Sequence, residues 1–147
     1  MKKQMTSNKE SVLLLGATGF IGSHLLKRLK EKNFFITSIS LSKQIMSEKN
    51  DKIVHHNVDI NNTSAISKII FKNKFDYIIN LSGYIDHSTF WKGGYDIINS
   101  HLISQINLIN ILKDVKIKKF INIGTSNEYS CSKNGHIETD IHFPETP

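Results

Sequence analysis

The feature that most constrains this chain is a set of three evenly spaced glycines directly after an apolar stretch. Residues 12–15 are all aliphatic, and Gly16, Gly19 and Gly22 follow at intervals of three. A buried strand that turns sharply into a helix, with backbone N–H groups facing a phosphate, leaves no room for side chains at such positions. The spacing therefore predicts a phosphate-binding turn between a strand and a helix. The alternative is that the glycines only tighten the turn.

Strand and helix patterns alternate along the rest of the chain. Beyond the first strand, we predict strands at residues 34–40, 52–57, 77–81 and 120–124, and helices at residues 21–32, 64–72 and 96–114. Asn62 or Thr63 caps the second helix. The long third helix is predicted to bury one apolar face, made of Ile98, Leu102, Ile109 and Leu112. This alternation predicts an α/β fold, a doubly wound parallel sheet of the Rossmann type.

Length and hydropathy limit the domain organisation. A chain of 147 residues can form one domain with a real core, but not a cofactor domain together with a full substrate domain. Residues 1–10 are polar and include three lysines, so we expect a disordered lead-in, then a Rossmann domain over residues 11–124 and a loop or tail over residues 125–147. No apolar run approaches the roughly 20 residues of a membrane span, so we expect a cytoplasmic protein without membrane contact.

Charge and the rarer residues argue against several other classes. The net charge of +6 comes from lysines spread along the chain, without a basic stripe interleaved with aromatic residues, so nucleic-acid binding is not expected. Cys131 is the single cysteine of the sequence and cannot form an internal disulfide. The histidines show no ligand spacing, so no metal site is expected.

The topology also predicts where a ligand binds. In a doubly wound sheet, ligands lie across the carboxyl ends of the strands, where the winding reverses. The candidate cofactor-binding residues are those that follow each strand, namely Gly16, Thr18, Gly19, Phe20, Ile21, Gly22, Ser40, Ser42, Lys43, Asp59, Ile60, Leu81, Ser82 and Gly83. Thr125 and Ser126 complete this edge after the fifth strand.

The end of the second strand bears on the choice of cofactor. In NAD-preferring proteins of this fold, an acidic residue there receives the ribose hydroxyls. Here Ser40 takes that place, and Ser42 and Lys43 follow. Because no carboxylate would repel a 2′-phosphate while hydroxyl and ammonium donors are present, the sequence predicts NADP as cofactor, with NAD as the second choice.

Several of these segments together resemble the extended short-chain dehydrogenase/reductase family, the NAD(P)-dependent epimerases, dehydratases and reductases of nucleotide sugars. Residues 16–25 resemble its GxxGxxG signature, and residues 58–60 resemble its adenine-contacting segment. Residues 80–83 are similar to its strand-four motif, and residues 124–129 to its strand-five motif. The resemblance implies a nucleotide-sugar substrate and covers only the N-terminal half of a typical member.

The resemblance also assigns roles to single residues. Thr125 matches the catalytic Ser or Thr, which implies a hydrogen bond to the sugar hydroxyl, although a structural role at the end of the strand is the alternative. Asn99 matches an asparagine of the cofactor site near the start of the helix after strand four. The family's Tyr-x-x-x-Lys pair, which acts while hydride passes to the nicotinamide, would fall just past Pro147. Tyr129 and Lys133 have that spacing, but Gly135 follows too closely for a long helix.

Three functions remain open. The first is the NAD(P)-binding portion of a nucleotide-sugar epimerase, dehydratase or reductase, catalytic if the chain continues beyond residue 147 and inactive alone. The second is a non-catalytic NAD(P)-binding module, and the third is a truncated remnant. Apolar residues outside the predicted core face of the long helix imply a further packing surface, and for the full-length form a homodimer. These residues are Ile97, Ile106, Leu108 and Ile111.

Overall fold

The computed structural model describes residues 9–42, 52–83, 90–125, 128–129 and 135–143. Within these residues the chain forms a fully parallel, five-stranded sheet in the order β3-β2-β1-β4-β5. The strands are β1 (Ser11–Leu15), β2 (Phe35–Ser40), β3 (Ile53–Asn57), β4 (Tyr77–Asn80) and β5 (Lys119–Asn122). The helices are α1 (Phe20–Glu31), α2 (Thr63–Lys72), α3 (Phe90–Ile98) and α4 (Ser104–Leu112). The predicted doubly wound fold is confirmed, and the winding reverses between β1 and β4.

β1 lies at the centre of the sheet and is covered on both faces, which explains its unbroken apolar sequence. Leu13 and Leu15 belong to the core cluster that includes residues of α2 and α4. Val12 and Leu14 belong to a second cluster with residues of α1. All four side chains are at most 1% exposed. The apolar run that precedes the glycines is therefore a fully buried strand.

The first two helices begin in different ways. The Asn62 side chain caps α2, because its oxygen accepts a hydrogen bond from the Ala65 N–H at 3.0 Å. The first of the two predicted caps is thereby confirmed. At the start of α1, Gly19 is the N-cap and no side chain accepts from the first turn. The N-terminal N–H groups of α1 therefore lack the protein acceptor that α2 has.

The helical region after β4 differs from the predicted single helix over residues 96–114. α3 begins at Phe90, ahead of two glycines whose low helix propensity argues against a helix, and Gly94 is buried within it. A π-helical segment, Asn99–Ile103, joins α3 to α4. The Ser104 N–H donates to the Asn99 carbonyl, five residues back. None of the described helices combines the length and the apolar character needed to cross a membrane.

The predicted core face of this region is wrong. Ile98, Leu102 and Ile109 are 39%, 55% and 55% exposed, and Leu112 alone of the four predicted residues is buried. The buried residues of α4 are Ser104, Leu108, Ile111 and Leu112. The prediction that Leu108 and Ile111 belong to a further packing surface is therefore also wrong, because both lie in the core cluster. Apolar residues occur on both sides of this helix, so periodicity cannot choose between the two faces, and the wider π turn shifts their phase.

Candidate functional site

The carboxyl ends of the strands meet at one edge of the sheet. Backbone hydrogen bonds join each end to its neighbour. The donor and acceptor pairs are Gly16 N–H to Ile39 O (2.8 Å), Leu81 N–H to Leu15 O (3.0 Å), Val58 N–H to Ser40 O (3.1 Å) and Ile123 N–H to Asn80 O (3.1 Å). The structure thus brings together the segments that follow all five strands of the sheet.

Two of the three glycines are required by the fold itself. Gly16 has a φ of +79°, in the left-handed region, and a Cβ there would lie 2.7 Å from the Leu81 carbonyl carbon and oxygen. A Cβ on Gly22 would lie 2.1 Å from the Gly16 carbonyl oxygen. The tight turn alone therefore accounts for Gly16 and Gly22.

Gly19 is not explained in this way. Its φ of −70° and ψ of 172° are extended values that any residue adopts. A Cβ added there would meet the Gly16 carbonyl oxygen at 3.4 Å, which is an ordinary van der Waals contact. Gly19 is also exposed. Neither the backbone angles nor a steric contact in the described protein requires glycine here, and its effect is to leave the backbone open to whatever approaches the loop.

The N-terminus of α1 lies at this open loop. Its first turn contains no acidic residue. Phe20 and Ile21 are 83% and 56% exposed, so the described protein does not cover the turn, and Thr18 is exposed as well. Free N–H groups and the helix dipole together give this end a partial positive charge. The arrangement fits an anion such as a pyrophosphate.

The ends of β4 and β5 are held by a pair of asparagines. Asn80 and Asn122 occupy the same register position in the two strands, and Asn80 Nδ2 donates to Asn122 Oδ1 at 2.9 Å. Asn80 is 1% exposed, and its Oδ1 accepts from the Ser82 N–H at 3.1 Å and from the Ser82 hydroxyl. Asn80 thereby places Ser82, a predicted site residue. This role was not predicted from the sequence, although both predicted strands contain an asparagine, at positions 80 and 122.

His101 is a second residue at this edge that was not predicted from the sequence. It belongs to the π-helical segment, and a Cβ added to Gly83 would lie 2.9 Å from His101 Cε1. The imidazole therefore packs directly against Gly83, just beyond β4. Asn99, the predicted site residue of this region, is half-buried at the start of the same segment. No local sequence pattern predicts the π turn that brings His101 to this edge.

At the end of β2, polar side chains are directed toward main-chain carbonyls. Ser40 is 7% exposed, and its hydroxyl donates to the Ser42 carbonyl at 2.9 Å. Asn57, the last residue of β3, donates through Nδ2 to the Ser40 carbonyl at 3.2 Å and also to the Leu41 carbonyl. Lys43, which the sequence adds to this site, lies outside the described residues.

Asp59 and Ile60, after β3, have different environments. The exposed Asp59 accepts the Asn61 N–H at 2.8 Å, in the turn that leads to α2. Ile60 is half-buried and packs against the core cluster that contains residues of α2. Asp59 is therefore the more accessible of these two predicted side chains.

Thr125 is exposed beyond β5, and Ser126 lies outside the described residues. Tyr129 is not part of an α-helix, and its ring stacks on His136 at 4.9 Å and meets His142 edge-on at 5.0 Å between centroids. His136 Nδ1 lies 3.1 Å from the Asp140 carboxylate. Lys133, which has the Tyr-x-x-x-Lys spacing from Tyr129, lies outside the described residues.

Comparison with known proteins agrees with this geometry. The family model described as the NAD dependent epimerase/dehydratase family matches residues 12–147. UDP-glucose 4-epimerase 2 of Arabidopsis thaliana is 23% identical over 84% of this chain and 39% of that protein. dTDP-D-glucose 4,6-dehydratase of Dictyostelium discoideum is 26% identical over 82% of this chain and 30% of that protein.

A solved structure extends the likeness to the fold. It is UDP-glucuronic acid 4-epimerase from Bacillus cereus, in complex with UDP-glucuronic acid and NAD. This structure superposes with a TM-score of 0.77, at 26% identity, over 92% of this chain and 46% of that one. The chain therefore spans less than half the length of these relatives. It belongs to the NAD dependent epimerase/dehydratase family, as the resemblance to extended short-chain dehydrogenase/reductases predicted.

Proposed function

We propose that this chain is the NAD(P)-binding portion of a nucleotide-sugar epimerase, dehydratase or reductase. The observation that carries the proposal is the open backbone at Gly19. A glycine that its own protein does not require, at the uncapped start of a helix, is accounted for by a ligand that approaches the backbone closely. Membership of the family supports a dinucleotide as that ligand.

Different residues along the carboxyl edge bind different parts of the dinucleotide. The N–H groups of residues 20–22 bind the pyrophosphate, and the end of β2 receives the adenosine ribose. Ser82 and Gly83 border the nicotinamide side, where Asn80 holds Ser82 in place. When bound, the nicotinamide supplies the acceptor for hydride from a sugar carbon. Thr125 hydrogen-bonds the sugar hydroxyl at that carbon.

The substrate is a nucleoside diphosphate sugar. Support comes from the relatives, whose names refer to UDP-glucose and dTDP-glucose, and from the solved structure that contains UDP-glucuronic acid. NADP rather than NAD stays a prediction of the sequence, and it depends in part on Lys43. The intact mass of the natural polypeptide tests whether residues follow Pro147, and a mass near twice 16.8 kDa would call for a search for the tyrosine and lysine among them.

The binding proposal is tested with Gly19→Ala and, as control, Ser64→Ala in the exposed first turn of α2. The added methyl at position 19 fits the protein but occupies the approach to the α1 N-terminus. We expect affinity for NAD and NADP, measured by isothermal titration calorimetry, to fall at least about tenfold, which corresponds to the loss of about 1.4 kcal/mol. The thermal unfolding midpoint should not fall.

Ser64→Ala should leave both affinity and unfolding unchanged. Binding of neither dinucleotide by the folded wild-type chain would contradict the proposal. Equal affinities for the wild type and Gly19→Ala would show that the open backbone at Gly19 does not meet the ligand.

A non-catalytic NAD(P)-binding module is the second candidate function. The observation that favours it is Tyr129, which packs between two histidine rings outside any α-helix. Both candidates predict dinucleotide binding and no turnover by these 147 residues alone, and they differ in whether the natural polypeptide converts a nucleotide sugar. We expect the chain alone, with UDP-glucose and either dinucleotide, to give no increase in the absorbance of reduced nicotinamide. An increase would exclude the module.

The helical region after β4 supports a homodimer in the full-length form. Exposed apolar residues recur along it every three or four positions and form an apolar stripe. The stripe consists of Trp91, Tyr95, Ile98, Leu102, Ile106 and Ile109. Large exposed apolar patches are typical of protein–protein interfaces, so these exposed side chains from α3 to α4 support an interface here. A second copy of the chain is the partner that we propose.

Sedimentation velocity over a range of protein concentrations tests the stripe. We expect the wild-type chain to associate as its concentration rises and Ile106→Lys to remain monomeric. Ser64→Lys places the same charge on exposed α2 and should associate like the wild type. A wild-type chain that stays monomeric at high concentration would refute self-association through this stripe.

A further inference from the structure

His55 connects the two strands at the adenosine side of the site. It is the register partner of Ser38 across β2 and β3, and Ser38 Oγ lies 2.9 Å from His55 Nδ1. The other ring nitrogen, Nε2, lies 3.3 Å from the Ser42 carbonyl oxygen and 3.4 Å from Ser40 Oγ. Ser38 is fully buried. The imidazole thus reaches from the middle of β2 to the first residues of the following loop.

The hydrogens of this cluster have acceptors inside the protein. Nε2 lies 3.3 Å from the Ser42 carbonyl oxygen, which can only accept, so the imidazole proton is assigned to Nε2. The Ser38 hydroxyl then donates to Nδ1 at 2.9 Å rather than to the Val54 carbonyl at 3.5 Å. The Ser40 hydroxyl donates to the Ser42 carbonyl at 2.9 Å. What Ser40 then offers to a ligand is the lone pairs of its oxygen. Its donor is already engaged.

Asn57, like Ser40, uses its donor within the protein and leaves an acceptor. Its Nδ2 donates to the Ser40 carbonyl and to the Leu41 carbonyl, which leaves Oδ1 as the remaining hydrogen-bonding atom of the amide. Among Ser40, His55 and Asn57, the hydrogen-bonding atoms that remain for a ligand are therefore acceptor oxygens and not donors. The hydroxyl of exposed Ser42 can serve either way.

We propose that His55 is a positioning residue for the adenosine ribose, which holds Ser40 and the Ser42 carbonyl so that this edge accepts a hydrogen bond from a ribose 2′-hydroxyl. The inference rests on the proposed function. A 2′-hydroxyl can donate to the Ser40 oxygen, whereas a 2′-phosphate brings only charged acceptor oxygens. The cluster therefore favours NAD over NADP, opposite to the preference that the sequence predicts from the lack of a carboxylate.

The experiment compares His55→Leu with His56→Leu. His56 is the adjacent residue of β3 on the other face of the sheet, where it pairs in register with Ile39 of the core cluster that contains residues of α2. Burial, His55 and Lys72 together lower the pKa of His56. The control thus removes an imidazole from the same strand without touching Ser40. The measured quantity is the ratio of the dissociation constants for NADP and NAD, from calorimetry at one ionic strength.

We expect the wild type to bind NAD about tenfold or more tightly than NADP, and His55→Leu to reduce that ratio about 3- to 10-fold, as the loss of one hydrogen-bonding group implies. His55→Gln, which can still bond one partner, should restore part of the ratio. His56→Leu should leave it unchanged. Thermal unfolding of each variant distinguishes a lost preference from a lost fold. Ser40→Ala removes the acceptor itself and should also lower the ratio.

A wild-type preference for NADP, or a ratio that His55→Leu and His56→Leu change equally, would overturn the inference while leaving dinucleotide binding intact. Binding of neither nucleotide to the folded wild type would instead overturn the proposed function, and the role of His55 with it.

Discussion

The two edges of the sheet are built from different chemistry. At the amino edge, the Lys118 ammonium lies 2.7 Å from Glu10 Oε1 and 3.0 Å from Asp76 Oδ1. Asp76 also accepts the Ser11 N–H at 2.8 Å, and the Tyr77 hydroxyl donates to Glu10 at 3.0 Å. At the carboxyl edge, glycine, serine and asparagine surround the strand ends, and the first N–H groups of α1 have no protein cap.

The contrast lies in where polar groups find partners within the protein. Lys118 of the amino edge pairs with Glu10 and with Asp76. The carboxyl edge keeps uncapped backbone N–H groups, acceptor oxygens and an open glycine, which are the groups that recognise a dinucleotide. Variants at each edge should therefore affect stability and binding in different proportions.

The largest expected effect is a loss of stability on substitution of Gly22, which Gly19 at the same edge should not show. Gly22→Ala puts a Cβ 2.1 Å from the Gly16 carbonyl oxygen, so we expect the free energy of unfolding to fall by about 3 kcal/mol or more. Gly19→Ala, whose Cβ has room, should unfold like the wild type. Urea denaturation followed by circular dichroism measures both. Equal stabilities would mean that the fold accommodates a Cβ at position 22 without cost.

Asn122→Ala tests the clamp between β4 and β5, which is the hydrogen bond between the Asn80 and Asn122 side chains, and should have an intermediate effect. It leaves the buried Asn80 Nδ2 without its acceptor, which should cost about 1 to 3 kcal/mol of unfolding free energy. Asn110→Ala removes an exposed asparagine of α4 and should change stability by less than about 0.5 kcal/mol. The same urea titration applies. If the two variants match, the clamp does not stabilise the carboxyl edge.

The smallest effect concerns the ion pairs of the amino edge, which are partly exposed and therefore weak. Hydrogen bonds from Lys118 and Tyr77 lower the pKa of Glu10, and those from the Ser11 N–H and Lys118 lower the pKa of Asp76. Carboxylates with a depressed folded pKa stabilise the fold above their unfolded values, near 4.5 and 3.8, and lose that contribution as pH falls through the folded values.

Lys118→Met should therefore make unfolding less dependent on pH below about pH 5, because both carboxyl pKa values return toward their unfolded values. Thermal unfolding between acid and neutral pH measures the change. Glu31→Gln breaks the exposed Arg28–Glu31 pair of α1 and serves as the control, with little expected effect. An unaltered pH profile in Lys118→Met would show that the amino edge gains nothing from its charges.

Much of the fold follows from local sequence. The aliphatic residues of β1, the glycine spacing and Asn62 each specify their structure through neighbours within a few residues, and all three were predicted. The face of α4 was not, because Leu108 and Ile109 are equally apolar and only the packing against the sheet buries the first and exposes the second. The start of α3 was missed because Gly94 disfavours a helix until it is buried.

The candidate site, too, was predictable from the sequence only in part. Its location follows from the order of strands and helices, since parallel strands separated by helices bring their carboxyl ends to one edge. The direction of each hydrogen bond at that edge does not follow from any local pattern. Asn80 meets Asn122 across 42 residues, and Ser40 meets His55 across 15. Pairs so distant along the chain are set by strand register. The glycine loop can therefore be predicted from the sequence, whereas the direction of the hydrogen bonds at the end of β2 is decided only in the folded sheet.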